Sequence, residues 1–153
     1  MNLFYLLRKI KSLIVLPSFF YLLLWLLFSP FVYSQQTEIV DFISVKAVVT
    51  PLLKEKKVIA TTSYTFKVLK KCDSVYLDAK GVFLLKNIKN RKIAIHLNNN
   101  KIWLVSKFKP NQTYTVSFEY KASPKKALYF LDHQIWTQGQ GKYTSNWFPS
   151  IDD

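Results

Sequence analysis

Between Val58 and Leu69, apolar and polar residues change places at almost every step. Val58, Ala60, Thr62, Tyr64, Phe66 and Val68 fall on one side, and Ile59, Thr61, Ser63, Thr65 and Lys67 on the other. A helix cannot sort such a pattern onto one face, because its side chains return every ~3.6 residues, whereas a pleated strand does so by its geometry. The rhythm returns from Thr113 to Lys121, with Tyr114, Val116, Phe118 and Tyr120 inward and Thr115, Ser117, Glu119 and Lys121 outward. Each run predicts a strand with one buried and one wet face.

Shorter runs fill the space around these two. Glu38 to Thr50 reads as a long strand that Pro51 ends, and Lys54-Glu55-Lys56-Lys57 as a charged hairpin tip. Cys72-Asp73-Ser74 has the composition of a turn, after which Val75-Tyr76-Leu77 and Val82-Phe83-Leu84-Leu85 flank Lys80-Gly81 as strands of one meander. Lys92 to Leu97 and Lys101 to Lys107 are joined by Asn98-Asn99-Asn100, residues that tolerate the left-handed backbone of a tight hairpin. His96, alone among Ile93, Ile95 and Leu97, reads as an outward strand residue. Lys109 to Gln112 is a further turn, Pro124-Lys125-Lys126 breaks the second alternating run, and Ala127 to Leu131 is a last short strand. Nothing after Ser34 carries helical periodicity. The expectation is therefore an all-β chain of antiparallel strands, arranged as a β-sandwich or one large curved sheet.

Residues 1–34 are of another kind. Arg8, Lys9 and Lys11 precede an apolar run from Leu13 to Phe28, and Val32-Tyr33-Ser34 offers a small-residue cleavage site before Gln35. This predicts an apolar signal helix and an exported protein, periplasmic, cell-envelope or extracellular. An uncleaved anchor is the competing reading, since the run approaches the ~20 residues that cross a bilayer. Pro17, Pro30 and the abrupt polarity of Gln35-Gln36-Thr37-Glu38 favour cleavage, and a membrane partner is expected only if the segment is retained.

The formal net charge is +13, of which the N-terminal segment holds three, leaving +10 on the rest. A nucleic-acid partner is not expected, because the lysines are scattered and no RNA-binding signature is present. A basic membrane-surface protein remains a further reading of that charge. Cys72 is the single cysteine, so no internal disulfide forms. Lys70 and Lys71 beside it could lower its pKa, but a half-buried thiol at a strand end is the simpler reading. Nucleophilic and nucleotide chemistry find no support, there being no G-x-S-x-G, P-loop or dinucleotide fingerprint.

The last stretch, Thr137 to Asp153, breaks the alternation. It holds Gly139 and Gly141, and with Trp136 it gathers Tyr143, Trp147 and Phe148 into what reads as a shaped loop. Trp136-Thr137-Gln138-Gly139-Gln140 followed by Trp147-Phe148-Pro149-Ser150-Ile151-Asp152 resembles the TQ-x-[EQ] and FPCFDEP-like segments that close the N-terminal β domain of the aminopeptidase N family of zinc peptidases. The resemblance runs weakly from about Val40 to the end and specifically only here. It implies a saddle-shaped β domain over residues 35–153, preceding a peptidase domain that carries the HExxH zinc site and the GxMEN loop. This sequence has neither motif: its histidines are His96 and His133 and its sole methionine is Met1. The chain itself is expected to bind no cofactor, with zinc belonging to the complete enzyme, and to be the front part of such a protein.

The resemblance further implies that Gln140 accepts a hydrogen bond from the α-ammonium of a peptide substrate. Gln138 ties the loop to neighbouring backbone, and Gly139 permits close approach or a positive φ. These three are the candidate substrate-binding residues, with Trp147, Phe148, Pro149 and Asp152 as packing. Thr144 and Ser145 stand where the family has an arginine, and Ser150 where it has cysteine. A different class of function also stays open: a non-catalytic, secreted or anchored β-sandwich module that binds a partner through its aromatic end.

Overall fold

The alternating runs become the two central strands of a four-stranded antiparallel sheet. In the computed structural model, which describes residues 36–89, 92–139 and 142–152, the strands in chain order are β1 (Val40–Leu52), β2 (Lys57–Val68), β3 (Cys72–Asp78), β4 (Val82–Lys89), β5 (Ala94–Asn98), β6 (Lys101–Phe108), β7 (Thr113–Ala122), β8 (Leu128–Leu131) and β9 (Gln134–Thr137). The helical elements among the described residues are two 3-10 turns, Gln36–Glu38 and Thr144–Asn146. The large sheet has the order β1-β2-β7-β4, a second has β3-β6-β5, and β8 and β9 form a hairpin of their own. The chain divides into two units, Met1–Ser34 and Gln35–Asp153; the expected signal segment lies outside the described residues. Among the described residues, no helix is long and apolar enough to cross a membrane.

The core follows directly from the period of two. Val58, Ala60, Thr62, Tyr64, Phe66 and Val68 of β2 are all buried, and they stand opposite Val116, Phe118, Tyr120 and Ala122 of β7. Val75, Leu77, Ile102, Leu104 and Phe108 of the second sheet complete the same cluster, so the two sheets pack as a sandwich. Aromatic rings fill its centre: Tyr64 stacks on Phe118 at 5.6 Å, and Phe66 meets Phe108 edge-on at 5.6 Å. Such contacts add roughly 0.5–1.5 kcal/mol each beyond the area they bury.

Several expectations are corrected. Pro51 does not end β1; it lies opposite Val58 within the strand. β1 is an edge strand, the place in a sheet where a proline is tolerated. Cys72-Asp73-Ser74 is not a turn but the start of β3, paired with β6 through an irregularity that absorbs Asp73. β3 and β4 are not neighbours in a meander either, since they belong to different sheets and the chain crosses the sandwich at Lys80-Gly81. Gly81 turns there at φ +70, a conformation that disfavours any side chain. Ser117 points outward as its spacing requires, yet it is buried and donates to the Ser63 hydroxyl at 2.8 Å, because β7 has strands on both sides.

The Asn98-Asn99-Asn100 hairpin forms as expected, with φ of +50 and +59 at Asn99 and Asn100. His96 is exposed on β5. Cys72 is half-buried at the end of β3, and burial pushes its thiol pKa up, against the activated reading.

Candidate functional site

The hairpin that delivers the glutamine loop is built from local pairs. Tyr129 stands opposite Trp136 across β8 and β9, their rings stacked at 4.6 Å. The Gln138 N–H then donates to the Ala127 carbonyl at 2.9 Å, prolonging the ladder by one bond to a residue held at φ +69. Gln138 is thus tied to neighbouring backbone by its main chain, while the residue itself stays exposed. Trp136 is in a strand rather than in the loop, and 43% exposed.

Gly139 is needed for close approach. A β-carbon on it would lie 2.6 Å from Oγ1 of Thr144, whose hydroxyl donates to the Gly139 carbonyl at 3.2 Å. Gln140, together with Gly141, lies outside the described residues.

The chain after the loop is fastened to the sandwich at several points. Phe148 packs on Tyr64 at 6.4 Å, and the buried Tyr64 hydroxyl donates to the Pro149 carbonyl at 2.7 Å. Burial raises the Tyr64 phenol well above its ordinary pKa, and the Tyr120 phenol adds to the shift. Ser150 pairs with Asp78 through two backbone bonds of 2.7 and 3.0 Å, extending β3 sideways. Trp147, Phe148 and Pro149 are therefore packing residues, as expected, with Trp147 and Phe148 set against the core.

Asp152 organises the end of this segment. One of its oxygens, Oδ2, accepts from the Ser145 hydroxyl and from Lys80 Nζ at 2.9 Å, and Oδ1 accepts from Ser150 Oγ at 3.2 Å. Its own N–H donates to Asp78 Oδ2 at 3.1 Å. Its side chain is only 5% exposed, so burial alone pushes the carboxyl up. Donation from Ser145 and Lys80, the Lys80 charge and the Ser150 bond outweigh that and hold it below its ordinary value. Ser145 is fully buried in this network, and Lys80 supplies its cation.

Sequence reasoning found the loop but not its supports. Lys80 reads only as half of a turn, and Asp78 and Tyr64 as ordinary strand residues. The aromatic residues of the terminal stretch are divided rather than gathered: Trp136 stacks with Tyr129 on the hairpin, while Trp147 and Phe148 face the core. Among the described residues, no group of three or more His, Cys, Asp or Glu side chains could hold a metal ion. The described residues do not fit a zinc site.

No family model and no curated protein matches the sequence. The fold does match solved structures. An M1 zinc metallopeptidase from Deinococcus radiodurans superposes with a TM-score of 0.67 over 75% of this chain, at 12% identity. The fold is that of an M1 metallopeptidase β domain. Leukotriene A4 hydrolase from Saccharomyces cerevisiae gives a TM-score of 0.61 over 81% of this chain, at 13% identity. The chain spans 29% of the first protein and 24% of the second. At such identity the likeness is one of fold. The Gln138-Gly139 strip leaves the hairpin exposed, while Thr144 to Asp152 are held by hydrogen bonds and packing against the sandwich.

Proposed function

We propose that this chain is the N-terminal domain of an exported zinc aminopeptidase, an enzyme that removes single residues from peptide N-termini. In this reading residues 1–34 direct export, and a downstream peptidase domain supplies the zinc and the hydrolytic chemistry. The present domain contributes the glutamine strip, where Gln140 accepts a hydrogen bond from the substrate's α-ammonium, flanked by Gln138 and Gly139. A neutral amide oxygen binding a cation makes a charge-assisted bond worth about 1.5–3 kcal/mol. The observation that carries the reading is the likeness to the M1 metallopeptidase fold together with the sequence Trp136-Thr137-Gln138-Gly139-Gln140, of which Trp136 and Thr137 close a hairpin strand. The test is to read and express the frame beyond codon 153 and assay an aminoacyl anilide. Activity that depends on zinc bound downstream, and a raised KM in Gln140→Ala, are expected. Stoichiometric zinc or hydrolysis by residues 1–153 alone would overturn the division of roles.

The exposed Tyr129–Trp136 stack favours a second reading, a non-catalytic interaction module. Acrylamide quenching separates the two. A module that works alone is monodisperse and shields Trp136 when its partner binds, whereas the aminopeptidase reading expects Trp136 to become shielded only when the peptidase domain is joined.

A further inference from the structure

We infer that Lys80 is a positioning residue for the glutamine strip, a role that rests on the reading of that strip as the substrate-recognition element. Its ammonium bridges two separated points of the terminal segment, donating to the Lys142 carbonyl at 3.3 Å and to Asp152 Oδ2 at 2.9 Å. Lys142 stands two residues after Gln140, and Asp152 lies near the other end of the segment, so one cation clips both.

The β3–β4 turn that carries Lys80 is itself seated against the same segment. A β-carbon on Gly81 would lie 3.6 Å from the Asn146 carbonyl, and the Gly81 carbonyl accepts from the Ser123 N–H at 3.0 Å. Two residues before Lys80, Asp78 holds Ser150 and the Asp152 N–H. The restraint then passes inward: from Asp152 to Ser145, from its neighbour Thr144 through the hydroxyl to the Gly139 carbonyl, and so to the residue between the two glutamines. A tetrahedral ammonium suits this task. Its three N–H groups diverge and can serve a carbonyl and a carboxylate lying in different directions, which a planar guanidinium does less readily.

The first measurement is amide hydrogen exchange on the full chain, comparing wild type with Lys80→Met, Lys80→Arg and the control Lys101→Met. Lys101 also pairs with Asp78, at 3.6 Å, but touches neither end of the segment. In Lys80→Met the hydrogen-bonded amides of Gln138, Asn146 and Asp152 should exchange at least ~10-fold faster while those of β2 and β7 do not change. Lys80→Arg should recover part of that protection, and Lys101→Met should leave the strip as in wild type. Unchanged exchange in Lys80→Met, or acceleration spread equally over β2 and β7, overturns the inference.

The second measurement is kinetic, on the enzyme with its peptidase domain. Lys80→Met should raise KM for aminoacyl anilides several-fold, with kcat within about twofold, because ground-state capture of the ammonium is what a misaimed amide loses. Gln140→Ala separates the two possible failures. If it raises KM and Lys80→Met does not, the positioning role is wrong while the substrate reading stands. If neither moves KM, the substrate reading is wrong, and the positioning role falls with it.

Discussion

Asp152 concentrates three side-chain donors on two oxygens in a place with little water, and its titration follows from that. Its folded pKa lies below the ordinary 3.8, so the stability it confers is complete above that value and is lost as pH falls through the folded value beneath it. Lys80 is 44% exposed and screened, so its share is small and the hydrogen bonds carry most of the effect. Asp152→Asn should cost about 1–2 kcal/mol near neutral pH. In urea melts across pH, the gap to wild type should narrow as pH falls below 3.8; a gap that stays constant would mean that the charge is not involved. A contrast between two tyrosines tests the same physics with neutral groups. Tyr64 gives its proton to the Pro149 carbonyl, whereas the buried Tyr120 hydroxyl has no partner among the described residues. Tyr64→Phe strands a buried carbonyl and should lower stability by about 1–2 kcal/mol, while Tyr120→Phe should be neutral or stabilising, both read from denaturant midpoints. Little of this was legible in the sequence, because a residue type does not announce its partner. Gln36 is a case in point. Read as the polar residue after a cleavage site, it uses both ends of its amide on the Tyr76 backbone, at 2.7 and 2.6 Å, as a strand neighbour would.

At the level of elements, legibility tracks how many neighbours a strand has. β2 has neighbours on both sides and a core beneath it, so every second residue is forced to be apolar, and the pattern stands out unaided. β1 is an edge. Past its irregularity near Ile43, Val45 and Val49 lie on the core side of the sheet, opposite the buried Tyr64 and Ala60, yet are 43% and 38% exposed. Among the described residues no strand lies beyond that margin, so its sequence is less constrained, and Pro51 reads as an end although the strand continues through it. Turn composition misled in the same way at Cys72-Asp73-Ser74, where polar residues occupy the frayed, irregular start of β3. The β8–β9 hairpin was half seen, because a four-residue strand carries too few alternations to register. The asparagine hairpin was legible because its chemistry is local. Asn99 and Asn100 both hold positive φ, which a β-branched residue resists by roughly 1–2 kcal/mol per position. Asn100→Val should therefore destabilise by that order and Asn100→Gly should be neutral or mildly stabilising, checked by thermal melts; equal melting of the two variants would show that the turn is not the constraint.

Across the whole molecule the basic surplus sets one further expectation. Four of the acidic side chains already sit in ion pairs: Glu38 with Lys70, Glu55 with Lys57 and Lys121, Asp78 with Lys101, and Asp152 with Lys80. Lys121 and Lys57 hold the exposed Glu55 carboxyl below its ordinary pKa, so that pair exists in solution as charges and salt will weaken it. Salt also screens the repulsion among the remaining lysines, and the two effects have opposite signs. The pairs are few and mostly on the surface, where each is worth ~0–1 kcal/mol. The repulsion comes from the formal net charge of +10 that remains after the three N-terminal charges are set aside from +13, with the lysines outnumbering their acidic partners over the domain. Repulsion should win. Raising KCl from low salt to about 0.3 M, where the screening length is below ~8 Å, should stabilise the fold by on the order of 1 kcal/mol, or roughly 4 °C in Tm. The measurement is a thermal melt at fixed pH across a KCl series, repeated with Glu55→Gln. Removing that acid should lower Tm most at low salt, where two lysines lose their counter-charge, and the difference should shrink as salt rises. A Tm that falls monotonically with KCl in both proteins would mean that the ion pairs, not the surplus, govern the electrostatics of this domain.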